Sequence, residues 1–389
     1  MREPDRVTVL LAPDPTGSGP TTRALALAGR LRLHAPGARL AVLVDPAHSA
    51  FGRLFDAVGA EAVTVPRTGR ETYADGDACG DRMLGHLACF HDVAPDLVVG
   101  DDNLAAGLAA AVAGVPYALV TGRYDIAPRG DGQGVDSLRS VFDRVVSTAR
   151  LVLTDKPYVP ETDAGSPVAR ALAEGRAVVT GPLVRDVPEH VDAGAARASL
   201  GLGPGPLMVA SVGGAGGSRD DRQRVVERCV LVHRRLLRRH PDLRFVLLTR
   251  DWVEVPDDVV VRRFVPDRPA LLRAADVLVA TPGWATVVEA AVQRVPAVFV
   301  AGGLDGPRAA ESFGRVERLG FPALLAPTSD ELEAAVRPFI GDRPVRPTPA
   351  QLAVAPGGSG AARAARLLAD TALAIRAGGS RAGGAVLTV

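Results

Sequence analysis

Residues 274–301 read AADVLVATPGWATVVEAAVQRVPAVFVA, and this stretch decides the prediction of the fold. Residues 276–280 form a short apolar run that predicts a buried strand, and Thr281-Pro282-Gly283 interrupts it. Apolar residues then recur at helical spacing over 284–293, and a second buried strand is predicted at 297–300. A strand, a tight turn, a helix and a strand make one unit of a parallel sheet. Such sheets bind ligands at the carboxyl ends of their strands, where this turn lies.

Two polar residues lie in the first turns of the predicted helix. Thr286 and Glu289 are three positions apart, so they share one face. One interpretation of T-x-x-E is a capping box, in which both side chains satisfy backbone N–H groups at the start of a helix. The other is a binding site, because the N-terminus of a helix attracts phosphate through its N–H groups and its dipole.

The same stretch resembles the nucleotide-sugar signature of GT-B glycosyltransferases, particularly their MurG-like and macrolide-type branches. In that signature a turn of the form (H/S)-x-G-x-x-T-x-x-E holds the diphosphate, and its Glu holds the ribose hydroxyls. Gly283, Thr286 and Glu289 stand at the matching positions, and Asp305 matches the acidic residue that follows the next strand. Thr281 stands where the macrolide-type branch has His.

The composition limits the classes of protein to which the chain can belong. Its 389 residues are enough for two or three domains of about 150 residues. A formal net charge of +1 gives no indication of nucleic-acid binding. Cys79, Cys89 and Cys229 form no C-x-x-C pair, which is typical of the reducing cytosol. Without a signal-peptide pattern or an apolar run of roughly 18 residues, we expect a cytoplasmic protein.

The order of predicted elements repeats along the chain. Residues 7–33 give a strand, a loop rich in glycine and proline, and a helix, and residues 207–240 give the same order again. This repeat predicts two similar doubly wound α/β domains. Residues 181–206 contain nine glycines and prolines, and they are the predicted linker.

The resemblance implies a GT-B fold, in which two Rossmann-like domains face a central cleft. The first, at 1–180, would bind the acceptor, and the second, at 207–376, would bind the nucleotide sugar. Residues 377–389 are predicted to be a flexible tail. The predicted helix at 361–375 is one that often crosses back to the first domain in GT-B proteins.

Two further segments of the second domain resemble donor-binding loops of the family. The loop at 211–218 is glycine-rich, so its backbone can approach an anion closely, although such loops are often only tight turns. Residues 262–266 resemble the loop that contacts the nucleobase, with core packing of Phe264 as the alternative. Trp284 is placed to stack on a base or sugar, or to pack in the core. The implied contacts to the nucleotide sugar are Ser211, Gly213, Gly214, Phe264, Val265, Thr281, Gly283, Trp284, Thr286, Glu289 and Asp305.

The first domain carries a second resemblance. Residues 16–23, TGSGPTTR, resemble the G-x-G-H-x-x-R loop, whose His often deprotonates the acceptor, and Pro20 occupies the His position. The resemblance implies an acceptor-side loop at Gly17, Ser18 and Gly19. A cleft carboxylate can replace the His if burial raises its pKa. The candidates, each of which is otherwise a solvated loop residue or N-cap, are Asp101, Asp102 and Asp14.

No metal site is predicted. His86, Cys89 and His91 cluster in GHLACFHD, but their spacing matches no common zinc pattern. An exposed amphipathic helix is the simpler interpretation of these residues.

The sequence therefore predicts a metal-independent glycosyltransferase of bacterial secondary metabolism or envelope glycan synthesis, moving a hexose from a UDP- or TDP-linked donor to a small-molecule acceptor. Helix termini and loop amides would stabilise the leaving diphosphate.

Two alternatives stay open. One is a nucleotide-sugar hydrolase or epimerase of the same fold. The other is a non-catalytic binding protein, since Pro20, Thr281 and Gly306 replace residues of active relatives. A homodimer and peripheral membrane contact also stay open.

Overall fold

The computed structural model describes residues 6–15, 18–65, 76–125, 133–187, 191–213, 218–250, 252–304, 307–341 and 347–378. They form two compact units. The first comprises the described residues up to Leu183 together with those from Gly360, and the second runs from Val184 to Ser359.

The first unit is built on seven parallel strands. These are β1 (Thr8–Pro13), β2 (Arg39–Val44), β3 (Glu61–Thr64), β4 (Leu97–Asp101), β5 (Tyr117–Thr121), β6 (Leu151–Thr154) and β7 (Ala177–Val179). Its helices are α1 (Ser18–His34), α2 (Gly52–Ala57, after a 3-10 turn at Pro46–Phe51), α3 (Gly76–Val93), α4 (Leu104–Ala113), α5 (Gln133–Thr148), α6 (Pro160–Asp163), α7 (Pro167–Ala173) and, at the end of the chain, α15 (Ala361–Gly378). The strand order β3-β2-β1-β4-β5-β6-β7 is that of a doubly wound sheet.

The second unit repeats this plan with six parallel strands. These are β8 (Leu207–Ser211), β9 (Arg244–Leu248), β10 (Val260–Arg262), β11 (Val277–Ala280), β12 (Ala297–Ala301) and β13 (Ala323–Leu325), in the order β10-β9-β8-β11-β12-β13. Its helices are α8 (Ala193–Ser199), α9 (Arg219–Leu237), α10 (Arg268–Ala274), α11 (Trp284–Gln293), α12 (Pro307–Arg318), α13 (Ser329–Val336, followed by a 3-10 turn at Arg337–Phe339) and α14 (Pro349–Ala353). The prediction of two doubly wound α/β domains is confirmed.

Continuous apolar strands arise because both faces of each sheet are covered. Successive side chains of a strand point to opposite faces. In β8, Leu207 and Val209 accordingly pack in one hydrophobic cluster, while Met208 and Ala210 pack in the other. Helices on both faces therefore bury every position of the central strands. Only the ends of these strands remain accessible to a ligand.

The chain changes units at points that differ from the predicted boundaries. It passes from the first unit to the second between Leu183 and Val184 and returns between Ser359 and Gly360. Most of the predicted linker packs in the second unit, since α8 lies against α10 and buries Ala196 in its core. Residues 360–376 were assigned by sequence to the second domain, although the resemblance implied that the helix at 361–375 crosses back to the first. They lie in the first unit, because the buried face of α15 packs along α1.

The acceptor-side segment also differs from its prediction. Ser18 and Gly19 do not lie in a loop, because α1 begins at Ser18 and includes Pro20 in its first turn. Proline is tolerated there, since the first N–H groups of a helix need no intrahelical acceptor. Gly17, with Gly214 and Asp305 of the predicted donor site, lies outside the described residues. Within the described part of the chain, no helix is long and apolar enough to span a membrane.

Candidate functional site

The first candidate site lies at the carboxyl edge of the second sheet. β8 and β11 end side by side, with Ser211 opposite Ala280. The next residue, Thr281, is buried; its N–H donates to Ser211 O at 3.1 Å and its hydroxyl donates to Gly213 O at 2.9 Å. Gly213 N in turn donates to the Thr281 hydroxyl at 3.3 Å. Thr281 thus ties the turn after β11 to the glycine-rich loop after β8.

The N-terminus of α11 opens onto this edge without a side-chain cap. Gly283 is the N-cap residue, and it has no side chain that could accept a hydrogen bond. Its carbonyl accepts from Thr286 N at 2.9 Å and from Val287 N at 3.1 Å, which closes the first turn. The start of a helix presents N–H groups without intrahelical acceptors, and its dipole favours a negative charge there.

The capping-box interpretation of Thr286 and Glu289 is wrong. Both residues lie inside α11, after its N-cap at Gly283. The same T-x-x-E pattern does form a capping box at the start of α13. There Thr328 N donates to Glu331 Oε2 at 2.7 Å, and Glu331 N donates to the Thr328 hydroxyl at 3.3 Å. Sequence spacing alone does not separate the two cases.

Glu289 is buried and is held by an arginine of α10. Arg268 Nε donates to Glu289 Oε2 at 2.7 Å, and Arg268 Nη2 donates to Ser211 Oγ at 3.2 Å. These bonds connect α11 to the end of β8 through one guanidinium group. Sequence reasoning did not single out Arg268, although it stands two positions after Pro266 in the segment that resembles the base-contacting loop.

A second arginine faces the same carboxylate. Arg185 donates to Pro266 O at 2.9 Å, and Gln293 Nε2 donates to Arg185 O at 3.2 Å. Burial lowers the pKa of Arg185, while the charges of Glu289 and Asp267 oppose that change. Arg185 lies in the segment predicted as a linker, and no motif in that segment pointed to a binding role.

The predicted base-contacting residues lie beside this site. Phe264 and Val265 are half-buried, and Val265 packs against the core of the second unit. Trp284 is half-buried and packs against the same core. The structure therefore brings together Ser211, Gly213, Thr281, Gly283, Trp284, Thr286 and Glu289, and adds Arg268 and Arg185.

The second candidate site lies at the carboxyl edge of the first sheet, and a buried arginine is at its centre. Arg23 of α1 donates from Nε to both oxygens of Asp101, at 2.9 and 3.1 Å, and from Nη2 to Asp101 and to Asp102, the latter at 2.7 Å. Asp155, which follows β6, lies 3.8 Å from the same guanidinium. Burial disfavours the charge on Arg23, but the three carboxylates outweigh it and raise its pKa.

The pKa values of the two adjacent aspartates are shifted in opposite directions. Burial raises the pKa of Asp101 to about 7; Arg23 opposes the shift, and the charges of Asp102 and Asp155 add to it. Burial also disfavours ionisation of Asp102, but Arg23, Arg123 and a 2.7 Å hydrogen bond from Thr121 outweigh it. The pKa of Asp102 is therefore lowered to about 2.

Asp14 joins this group from the end of β1. It is buried, and its N–H donates to Asp101 O at 2.8 Å. The three predicted carboxylates thus meet at one edge, but they share it with Arg23 and Asp155, which sequence reasoning did not select for this role. Arg23 is the final residue of the TGSGPTTR segment, so the motif contained the signal.

Two histidines near this edge are buried. His48 Nδ1 lies 3.3 Å from the hydroxyl of Thr21, the residue after Pro20. His86 Nε2 lies 3.3 Å from Asn103 Nδ2, and the Asn103 amide oxygen caps α4. Asn103 is therefore the donor, and the His86 proton is on Nδ1. Burial lowers the pKa of His86 to about 4, so the ring is neutral at pH 7.

The exposed-helix interpretation of residues 86–91 is only partly right. His86 and Cys89 are buried in the first unit, while His91 is exposed. The three cysteines are free and buried. In the described ranges, no group of three or more His, Cys, Asp or Glu side chains is arranged to hold a metal ion.

Comparison with known proteins identifies the fold. No family model matches the chain, and no curated protein matches it. The glycosyltransferase of kitacinnamycin is 22% identical, with a TM-score of 0.62 over 95% of this chain and 99% of its own. UGT89C1 of Arabidopsis thaliana, solved with UDP, is 16% identical, with a TM-score of 0.61 over 95% of this chain and 100% of its own. A candidate UDP-N-acetylglucosamine 2-epimerase of Listeria monocytogenes is 13% identical, with a TM-score of 0.62 over 99% of this chain and 100% of its own. These likenesses show that the chain has the GT-B fold.

Proposed function

We propose that the protein is a glycosyltransferase that moves a sugar from a nucleoside-diphosphate sugar, UDP- or TDP-linked, to a small-molecule acceptor. The observation that carries this proposal is the uncapped start of α11, with the buried Glu289 six residues after the N-cap, less than two turns along the helix. N–H groups and a helix dipole suit a diphosphate, and a buried carboxylate suits the ribose hydroxyls. Solved glycosyltransferases of the same fold support the assignment.

The proposed reaction is a displacement at the anomeric carbon. The acceptor oxygen forms a bond to that carbon and gives its proton to a base. The bond from the anomeric carbon to the diphosphate oxygen breaks, and the diphosphate takes the electron pair. The start of α11 and the loop after β8 stabilise the growing charge on the leaving diphosphate.

We propose that the first unit binds the acceptor and that a carboxylate replaces the His that Pro20 excludes. Asp101 is the first choice because its pKa, about 7, suits a general base at neutral pH. Asp102 and Asp14 adjoin it. The His48 imidazole is a further candidate through its contact with Thr21.

The test is turnover of Asp101→Asn, Asp102→Asn, Asp14→Asn and His48→Gln, with donor binding measured in parallel. Loss of one base should reduce turnover about a hundred- to ten-thousandfold.

The proposal as a whole is tested by calorimetry with UDP, TDP, GDP and their sugars, followed by product analysis with an acceptor panel. Binding of a nucleoside diphosphate and formation of a glycoside are expected. Absence of binding to every member of the panel would refute the proposal.

The epimerase likeness supports a second candidate, a nucleotide-sugar epimerase or hydrolase. Pro20 supports a third, a nucleotide-sugar-binding protein without catalysis. Product analysis separates them, since an epimer, free sugar or unchanged donor appears in place of the glycoside. If the parent binds donor without turnover and Pro20→His creates activity, the non-catalytic candidate is correct.

A further inference from the structure

Arg268 lies between two groups of the candidate donor site. It donates from Nε to Glu289 at 2.7 Å and from Nη2 to Ser211 Oγ at 3.2 Å. A guanidinium group has five N–H donors in one plane, so these two bonds leave further donors on the same rigid fork. Its side chain is 24% exposed, whereas that of Glu289 is only 5% exposed. Arg268 is therefore the member of this ion pair that solvent, and hence a ligand, can reach.

The residues that resemble diphosphate contacts are neutral. Ser211 and Thr281 carry hydroxyls, and the Thr281 hydroxyl already donates to Gly213 O. The N–H groups of Gly213 and Gly283 already donate to Thr281, at 3.3 and 2.8 Å. The helix dipole contributes the equivalent of only about half a positive charge. A nucleoside diphosphate carries a larger negative charge, and Arg268 is a full cation in hydrogen-bond contact with this edge.

We propose that Arg268 binds the diphosphate of the donor directly, with the Glu289 pair holding its guanidinium in place. This inference rests on the proposed function and adds a charged donor-binding residue to it. Arginine suits the role, because its planar fork matches two phosphate oxygens at once and the resulting charge-assisted bonds are short and strong. Glu289 limits the rotation of the side chain, so less conformational entropy is lost on binding.

The rival explanation is that Arg268 only orients Glu289 and never touches the ligand. The two explanations differ in which ligands they affect. A positioning role acts through the ribose, so it weakens nucleoside and nucleoside diphosphate equally. A phosphate contact weakens only the ligands that carry phosphate.

The experiment is a calorimetric or NMR titration of Arg268→Gln and Arg268→Lys with uridine, UMP and UDP, and with the thymidine series. Arg268→Gln should weaken the diphosphate about ten- to a hundredfold and the nucleoside by less than about threefold. Arg268→Lys should recover only part of the loss, because an ammonium group supplies the charge but not the planar fork. Raising the salt concentration should weaken diphosphate binding more in the parent than in Arg268→Gln.

Two variants serve as controls. Glu289→Ala should weaken both ligands, and the diphosphate by the larger factor, because it removes the ribose contact and also frees the Arg268 guanidinium. Arg294→Gln removes one positive charge from the exposed C-cap at the opposite end of α11, and it should leave both affinities unchanged. Circular dichroism and thermal unfolding establish that each variant is folded.

Three results would overturn the inference. Equal weakening of nucleoside and diphosphate in Arg268→Gln means that Arg268 only positions Glu289. Unchanged affinities mean that the pair is a structural ion pair. If the parent binds no nucleoside diphosphate, the proposed function itself fails, and this inference fails with it.

Discussion

Glu289 is the residue on which the proposed donor site depends most. It is buried, and the structure gives it a partner in Arg268 rather than the backbone N–H group of a capping box. We predict that Glu289→Ala weakens nucleoside-diphosphate affinity tenfold or more, because a hydrogen bond to a charged group contributes about 1.5–3 kcal/mol. Calorimetric titration of parent and variant measures the change. An unchanged affinity in a folded variant would limit Glu289 to a structural role.

Asp101 is predicted to make stability depend on pH. Burial raises its pKa to about 7, against about 4 in an unfolded chain. The folded state therefore binds one proton more than the unfolded chain between those values, and the free energy of unfolding falls as the pH rises through this window. Asp101→Asn lacks this contribution. The stability of the parent relative to the variant should therefore decrease from pH 5 to pH 7, as measured by urea unfolding.

Asp102→Asn is the matched control for that measurement. The pKa of Asp102 is lowered to about 2, so its stabilising contribution is complete above about pH 4 and is lost only as the pH falls further. The difference between the parent and Asp102→Asn should therefore change less from pH 5 to pH 8 than that for Asp101→Asn, because Asp102 acts there only through its smaller contribution to the raised pKa of Asp101. If the free energies of unfolding of the two variants changed with pH in parallel, the opposite pKa shifts of Asp101 and Asp102 would be contradicted.

The helix starts described in the second unit differ in how they are capped. α9 and α13 begin with capping boxes, formed by Ser218 with Asp221 and by Thr328 with Glu331. α11 begins at Gly283 with no side-chain cap. Capped starts satisfy their own N–H groups, whereas an uncapped start at a sheet edge can bind a ligand. This difference supports the proposal that α11 binds the diphosphate.

Threonine substitutions distinguish the two kinds of helix. Thr328→Ala removes a cap and should lower the free energy of unfolding by about 0.5–2 kcal/mol. Thr286→Ala removes no cap, so it should change stability by less than about 0.5 kcal/mol and weaken nucleoside-diphosphate binding instead. Urea unfolding and calorimetry of both variants check this. Equal losses of stability would indicate that Thr286 also stabilises the helix.

The chain returns to its first unit for the last helix that the structure describes. α15 follows the second unit in sequence, but it packs along α1, and its buried residues include Ala364, Leu368 and Ala372. Arg376 extends the contact by donating to Arg6 O at 2.8 Å and to Asp96 at 3.1 Å. Residues from opposite ends of the sequence therefore complete one core.

Leu368→Ala should lower the free energy of unfolding by about 2–5 kcal/mol, because Leu368 is fully buried and its loss leaves a cavity. Leu373, on the same helix, is 51% exposed, so Leu373→Ala should cost less than about 0.5 kcal/mol. Thermal and urea unfolding compare the two. Similar effects would show that the buried face of α15 contributes little to the stability of the first unit.

The sequence by itself determined the alternation of strand and helix, the two doubly wound sheets and the sheet edge at which we propose the donor site. These follow from local information. Apolar runs such as Val277–Ala280 identify buried strands, and the break at Thr281-Pro282-Gly283 identifies the strand end and the helix start. The restart of the same order at Leu207 was enough to predict two units.

Only the tertiary structure decided which side chains meet at those edges. Arg268 and Glu289 are 21 residues apart, and Arg23 and Asp101 are 78 apart, so no local pattern connects them. Their pairing depends on which strands are neighbours and on the low dielectric of a buried site, which makes an unpaired charge costly. The acidities of Asp101 and Asp102 differ for the same reason. They are adjacent in sequence, but burial and Arg23 act on them unequally, and neither effect can be read from the order of residues.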